Sequence, residues 1–372
     1  MSGAAMPVDN AIDELSETLL KNFRKSQGQF AMFGHQDDLS CRKNDKVPSD
    51  VLQATGTYPA VFGFDLGGIE KYGRAGYDSR YFSEQREQIM YAFSKGAVIT
   101  LSWHSVNPIT AGGYGDNCAP DSVAAVLPGG NRHEDFIRWL DGVAAFAHSL
   151  VDPDGRTIPV VFRPFHEHNG DWFWWCIGSR DGQTDTSEAM FIELWQFVVS
   201  YLRDEQGVHN FLYAYSPDRS CFSIEDFDTA YYRGYPGDDF VDIFGLDDYI
   251  DIGRFDNLKS PEAIVADFQT VLRKLVHNAD GRNKVAAFTE VGTPNKLAGA
   301  ELHPWTDFLE KSARADEWTR RVLWYLTWRN SMTPEETNVY GTPLSEDVTG
   351  ADFKEFSKGY IRFLNRIEPM YV

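Results

Sequence analysis

The stretch Phe162-Arg163-Pro164-Phe165-His166-Glu167-His168-Asn169-Gly170-Asp171-Trp172-Phe173-Trp174-Trp175 closes an apolar run, Ile158 to Phe162, with a carboxylate between two histidines, followed by a cluster of aromatics. A strand needs the apolar run but not Glu167 at its end, since a charged group is rarely buried without a partner or a task. Indole faces beside a carboxylate suit a ligand with apolar ring faces and polar edges, as a sugar has. A second carboxylate, Glu290, follows Thr289 at the end of another apolar run. Breaking a glycosidic bond takes one carboxyl group kept protonated for the leaving oxygen, and one ionised to attack the anomeric carbon or activate water. Glu167, among aromatics and beside His166, has surroundings that raise a carboxyl pKa by desolvation. It is therefore assigned as general acid/base, and Glu290 as nucleophile, with Arg163 to keep Glu290 ionised. A spacing of about 5–5.5 Å between the two would give covalent catalysis with retention.

Two such groups must be brought together by the elements that carry them. Short apolar runs alternate with longer amphipathic ones, and eight of the former read as strands: Gln29 to Gly34, Pro59 to Phe64, Ala97 to Trp103, Ile158 to Phe165, Asn210 to Tyr215, Asp242 to Leu246, Lys284 to Thr289 and Val322 to Trp328. Helical patterns fill most of the gaps: Ser83 to Lys95, His133 to Leu150, Ser187 to Glu205, Pro261 to Asn278 and Trp305 to Arg320. Near-continuous apolar strands alternating with helices indicate a parallel sheet covered on both faces. Eight units point to a (β/α)8 TIM barrel, α/β in class, a single domain with elaborated loops at the C-terminal face. Residues 1–25 are expected to form an N-terminal extension and helix leading into a catalytic barrel over 26–372. Long loops are expected at Gly112 to Asn131 and Thr333 to Thr349. A doubly wound open sheet is the alternative, but no glycine-rich phosphate motif stands at a strand–helix junction.

A barrel carries its chemistry where strands end. Here those ends read Gly34-His35-Gln36-Asp37-Asp38, Asp65, Trp103-His104, His166-Glu167, Asp247-Asp248-Tyr249, Thr289-Glu290 and Trp328-Arg329-Asn330, a richer set than turns require. Strands four and seven lie on roughly opposing sides of a closed barrel, so Glu167 and Glu290 can share a cleft. Trp139, Trp195 and Trp324 have core spacing. Trp328 ends a strand and is a better platform, and at least one of Trp172, Trp174 and Trp175 is expected to face ligand.

The 372 residues suffice for one large core, and the net charge of −20 argues against nucleic acid and anionic membranes. Four cysteines, Cys41, Cys118, Cys176 and Cys221, form no C-x-x-C pair, which speaks against a structural zinc and leaves one or two disulfides open. No apolar stretch is long enough to span a membrane, and no signal peptide is visible at the start.

The motif from Arg163 to Gly170 with Trp172-Phe173-Trp174 resembles the acid/base motif of glycoside hydrolase family 26. The likeness extends over about 330 residues through Phe33-Gly34-His35-Gln36-Asp37, Ser102-Trp103-His104, Asp247-Asp248-Tyr249, Phe288-Thr289-Glu290 and Thr327-Trp328-Arg329-Asn330. The resemblance implies a retaining (β/α)8 endo-β-1,4-mannanase with Glu167 as acid/base and Glu290 as nucleophile. It implies that His166 lies near the nucleophile and the −1 sugar, that Tyr249 holds the nucleophile, and that Trp328 forms the −1 platform. Trp172 would stack on the +1 sugar, while His104, Asp247 and Arg329 would contact glycone hydroxyls. His168 departs from the apolar residues frequent there. Mannan, galactomannan or glucomannan is the implied partner of a monomer without cofactor or metal, secreted or periplasmic. Mixed-linkage β-glucan and β-1,3-xylan are alternative substrates. Two other classes compete: a metal-dependent hydrolase using His35, His104, His166 and His168, and a non-catalytic sugar-binding protein.

Overall fold

The computed structural model describes residues 7–44, 46–71, 79–113, 117–178, 182–252, 257–292, 303–330 and 340–372. All eight expected strands are present, with ends within two residues of those read from the sequence: β1 (Ala31–Gln36), β2 (Val61–Asp65), β3 (Val98–Ser102), β4 (Val160–Arg163), β5 (Phe211–Tyr215), β6 (Ile243–Asp248), β7 (Val285–Val291) and β8 (Trp324–Thr327). They run parallel in sequence order, and β1 pairs with both β8 (Met32 with Trp324) and β2 (Gly34 with Val61), which closes the barrel. A ninth strand absent from the sequence reading, β9 (Ile361–Arg362), pairs with Ala31 and Met32 of β1, just before β2 takes over at Gly34. Two residues carry too little periodicity to be read as a strand.

Strand alternation divides the core in two. Val61, Val98, Val161, Leu212, Ile243, Val285 and Leu326 fill the barrel interior, where Leu19, Leu20 and Phe23 of the N-terminal helix α1 (Glu14–Ser26) join them. The intervening residues, Phe62, Ile99, Phe162, Tyr213, Phe244 and Phe288 among them, pack outward against the helices. Both faces of every strand are thus apolar, which is why the strands read as continuous runs.

The surrounding helices include Arg80–Ser94, His133–Ser149, Glu188–Ser200 and Pro261–Gly281. The last starts as expected, with Ser260 Oγ accepting from the Ala263 N–H at 3.3 Å and proline in the first turn. The expected helix from Trp305 to Arg320 is instead broken. It comprises a π-type turn at Pro304–Glu310, a short helical turn at Lys311–Ala313 and a 3-10 turn at Thr319–Arg321. The expected loop from Gly112 to Asn131 contains a short helix, Ser122–Val126, and residues 114–116 lie outside the described set. The loop from Thr333 lies outside it as far as residue 339.

One irregularity positions the chemistry. Leu246 of β6 pairs with Phe288 of β7, but the next residue, Asp247, pairs with Glu290, so Thr289 is an extra residue in the ladder. A bulge of this kind re-aims the side chain that follows it. Simple alternation would put Glu290 on the outer face with Phe288; the bulge brings both Thr289 and Glu290 inward. Gly245 makes the room, since a Cβ there would stand 2.6 Å from Thr289 Oγ1.

Candidate active site

After β4 the chain enters a tight turn in which Phe165 (φ 51°) and Glu167 (φ 53°) both adopt left-handed backbone, a conformation costly for non-glycine residues. The turn is tied to the end of β5 by the Glu167 N–H donating to the Ser216 carbonyl at 2.8 Å. Of the three tryptophans from which at least one ligand-facing ring is expected, Trp174 and Trp175 are fully buried. They brace the loop, Trp175 Nε1 donating to the His166 carbonyl at 2.8 Å and Trp174 Nε1 to Ser105 Oγ at 3.0 Å. Trp172 alone of the three is partly exposed, and its Nε1–H donates to Glu167 Oε2 at 2.6 Å.

Burial holds the Glu167 carboxyl well above the usual carboxylate range, helped by the charges of Asp218, Glu290 and Asp247 and opposed by the Trp172 N–H. A shift in this direction favours the protonated form, as a general acid requires. Carboxylate oxygens of Glu167, Asp247 and Glu290 all lie within 4.8 Å of one another. That spacing suits the covalent mechanism and is below the roughly 6.5–9.5 Å that leaves room for a water.

Glu290 is buried and caged. Its Oε1 accepts from Arg163 Nη2 and its Oε2 from the Tyr249 hydroxyl at 2.6 Å. Burial and the neighbouring Glu290 push the Tyr249 phenol well above its ordinary range, so it remains a donor. The Arg163 guanidinium also donates to Asp247 Oδ2 at 2.7 Å and to Ser216 Oγ at 3.2 Å. Burial works against its charge, but Asp247 and Glu290 outweigh that and raise its pKa.

Asp247 is 0% exposed, and its second oxygen accepts from Thr289 Oγ1 at 2.7 Å. It supports Arg163 and the bulge residue.

His104 Nδ1 pairs with Asp65 Oδ2 at 2.7 Å, and its Nε2 meets His166 Nε2 at 3.0 Å, so both ring nitrogens of His104 are engaged within the protein. His166 is buried, bonded to His104 and not to the nucleophile. Burial, His104 and Arg163 hold its pKa well below the ordinary value, so it is neutral. Burial opposes charge on His104, but Asp65 raises its pKa. Asp65 is lowered to about 2: burial acts against this, and His104, Ser102 Oγ and the Gly67 N–H prevail. The sequence reading placed Asp65 at a strand end without a role; no spacing signal links it to His104.

Trp328 and Arg329 are half-buried. Trp328 stands edge-on to His104 with ring centroids 5.6 Å apart, and Arg329 Nη1 lies 3.7 Å from Cys41 Sγ. Nearby Asp37, on left-handed backbone at φ 50°, is raised to about 7 by burial and Asp65, against Arg329 and His104. All four cysteines are free thiols.

Of the four histidines weighed as metal ligands, only His104 and His166 meet. His35 is paired with Asp38 at 2.8 Å, and His168 turns behind the acid/base to the Arg233 carbonyl (2.8 Å) and the Tyr215 hydroxyl (2.9 Å). Among the described residues the one convergent group of three is Glu167, Asp247 and Glu290, and there Arg163 already supplies the positive charge. A cavity of about 830 Å³ lined by Asp9, Arg203, His209 and Lys284 lies at the opposite mouth of the barrel and contains neither catalytic candidate.

Residues 8–321 match the model of glycosyl hydrolase family 26. The chain is 36% identical over 349 residues to a mannan endo-1,4-beta-mannosidase of Bifidobacterium adolescentis, covering 91% of this chain and 33% of that protein, so it spans about a third of that relative's length. It resembles the structure of a GH26 beta-mannanase from Bacteroides ovatus at 33% identity and TM-score 0.81, over 96% of this chain and 97% of the other. The catalytic domain of a GH26 endo-beta-1,4-mannanase from Bacillus sp. JAMB-750 superposes with TM-score 0.83 at 31% identity, over 99% and 96%. With the family model matched over most of its length, on a closed barrel whose strands four and seven bring two glutamates together, the chain belongs to glycosyl hydrolase family 26.

Proposed function

We propose that the protein is a retaining endo-β-1,4-mannanase acting on mannan, galactomannan or glucomannan. The observation that carries the reading is the pair Glu167 and Glu290, with oxygens within 4.8 Å and opposite electrostatic settings. One is partly exposed and set among like charges; the other is clasped by a guanidinium and a phenol. The relatives named above, described as mannanases, support the substrate class.

In the first step Glu290 attacks the anomeric carbon of the −1 mannosyl unit. The C1–O bond breaks and Glu167 gives its proton to the departing oxygen, leaving a covalent glycosyl-enzyme. Glu167, now ionised, takes a proton from water, whose oxygen attacks C1 and releases Glu290 with net retention. Arg163 sets its positive charge against Glu290 Oε1 in the ground state, and Tyr249 donates to Oε2. Asp247 and Thr289 hold Arg163 and the bulge, acting through the nucleophile and not on the sugar. Trp328 and Trp172, both partly exposed, supply ring faces for the −1 and +1 sugars. Because an intact polysaccharide does not cross a membrane, such a substrate fits action outside the cytoplasm.

A non-catalytic sugar-binding protein would need the aromatic platforms but not two carboxyl groups within 4.8 Å of one another, one of them clasped by a guanidinium and a phenol. The deciding experiment is reducing-sugar release from linear mannan, galactomannan, glucomannan, mixed-linkage β-glucan and β-1,3-xylan, with Glu290→Ala as the blank. Mannan cleavage that disappears in Glu290→Ala is expected. Cleavage of glucan or xylan alone would replace the substrate, and silence across the panel would favour the binding protein.

A further inference from the structure

The loop after β4 contains a glycine whose backbone does not require one. Gly170 is not among the residues with left-handed backbone, so an alanine is conformationally allowed there. Space is the constraint. A Cβ on Gly170 would lie 2.6 Å from both Cη2 and Cζ2 of Trp172 and 2.7 Å from its Cε2, far inside van der Waals contact. The indole rests on the bare Cα of Gly170.

The backbone at this point has little freedom to retreat. The Gly170 N–H donates to the Glu167 carbonyl at 2.9 Å, and its own carbonyl accepts from the Gly178 N–H at 3.0 Å. Gly178 approaches so closely that a Cβ there would stand 2.3 Å from the Gly170 oxygen. One residue on, the Asp171 carbonyl accepts from Cys118 Sγ at 3.4 Å. With the loop tied on both sides and Trp172 partly exposed, the ring is the part able to move.

We propose that Gly170 is a positioning residue for the leaving-group side of the cleft. Its missing side chain seats the Trp172 ring so that one indole meets two needs: its N–H reaches Glu167 Oε2 at 2.6 Å, and its face is set for the sugar beyond the scissile bond. A methyl group at position 170 would displace the ring and lose both together. The proposal rests on the reading of Glu167 as the acid, and the two can fail separately. Loss of polymer cleavage in Glu167→Ala tests the acid, whereas coupling between positions 170 and 172 tests the seat.

The experiment is a double-mutant cycle with Gly170→Ala, Trp172→Ala and the double variant, followed by kcat/KM on a soluble manno-oligosaccharide across pH. Gly170→Ala is expected to lose about ten- to a hundredfold in kcat/KM, the scale of an ångström-level misplacement near the chemistry. Its alkaline limb should move upward, a change that mere loosening of the loop would not produce. In the Trp172→Ala background, where the methyl group has room, adding Gly170→Ala should change kcat/KM by less than about twofold. Should Gly170→Ala alone fail to fold, a folded double variant matching Trp172→Ala still supports the seat. Wild-type behaviour of Gly170→Ala, an equal loss in both backgrounds, or a double variant that also fails to fold would overturn it.

Discussion

Replacing Trp172 by Phe removes the indole nitrogen with its hydrogen and leaves a six-membered aromatic ring. In the structure that hydrogen lies on the 2.6 Å bond to Glu167 Oε2, the bond that opposes the upward displacement of the acid/base carboxyl. A hydrogen bond to a charged group contributes about 1.5–3 kcal/mol when water does not replace it. Both partners are partly exposed, so water takes over some of this, and a net loss of about 1.4 kcal/mol corresponds to one pH unit. The sign follows from which form is stabilised. The N–H favours the ionised carboxylate, so its removal raises the carboxyl pKa further. Activity needs Glu167 protonated, is present below that pKa and is lost as pH rises through it. The alkaline limb of kcat/KM should therefore move up by about one unit in Trp172→Phe, with KM near neutral pH changed little because a ring face remains. The assay is kcat/KM on a soluble manno-oligosaccharide from about pH 4 to 10. An unmoved limb, or one displaced downward, would refute the assignment of this bond to the acid.

Two other outcomes follow from the same geometry. Arg163→Met leaves Asp247 and Glu290 buried and unpaired, so it should cost about 3–5 kcal/mol in denaturant unfolding, with part regained by adding Glu290→Gln; a neutral Arg163→Met would contradict the paired-charge picture. Glu167 is a carboxyl with a raised folded-state pKa, so its contribution is intact below the unfolded-state value and is lost as pH rises through the folded one. Glu167→Gln should accordingly melt a few degrees above the wild type near pH 9 and level with it near pH 4. A gain independent of pH would argue against a carboxyl whose pKa is raised in the folded state.

How much of this was readable in the chain depends on the range of the forces involved. The eight strands were legible because both faces of each are apolar, a property written locally in runs such as Val160 to Phe162. The two glutamates were legible because a charge ending such a run has no structural use. What the sequence could not disclose is set by neighbours distant in the chain. His104 and Asp65, 39 residues apart, meet across β2 and β3. The two oxygens of Asp247 meet Arg163, 84 residues away, and Thr289, contacts that no local pattern announces. The bulge at Thr289 has no signature in composition, although without it Glu290 would face the helices. Trp174 and Trp175 were grouped with Trp172 by adjacency, and only the fold of the loop separates the two braces from the exposed ring.

The central claim is that two carboxyl groups within 4.8 Å act through a covalent intermediate. Its most direct test is the anomeric configuration of the product as first formed, followed by proton NMR during the opening minutes of manno-oligosaccharide hydrolysis. The account predicts the β-anomer first, with the α-anomer growing in only by mutarotation. Initial appearance of the α-anomer would mean single displacement by water and would contradict the assignment of Glu290 as nucleophile.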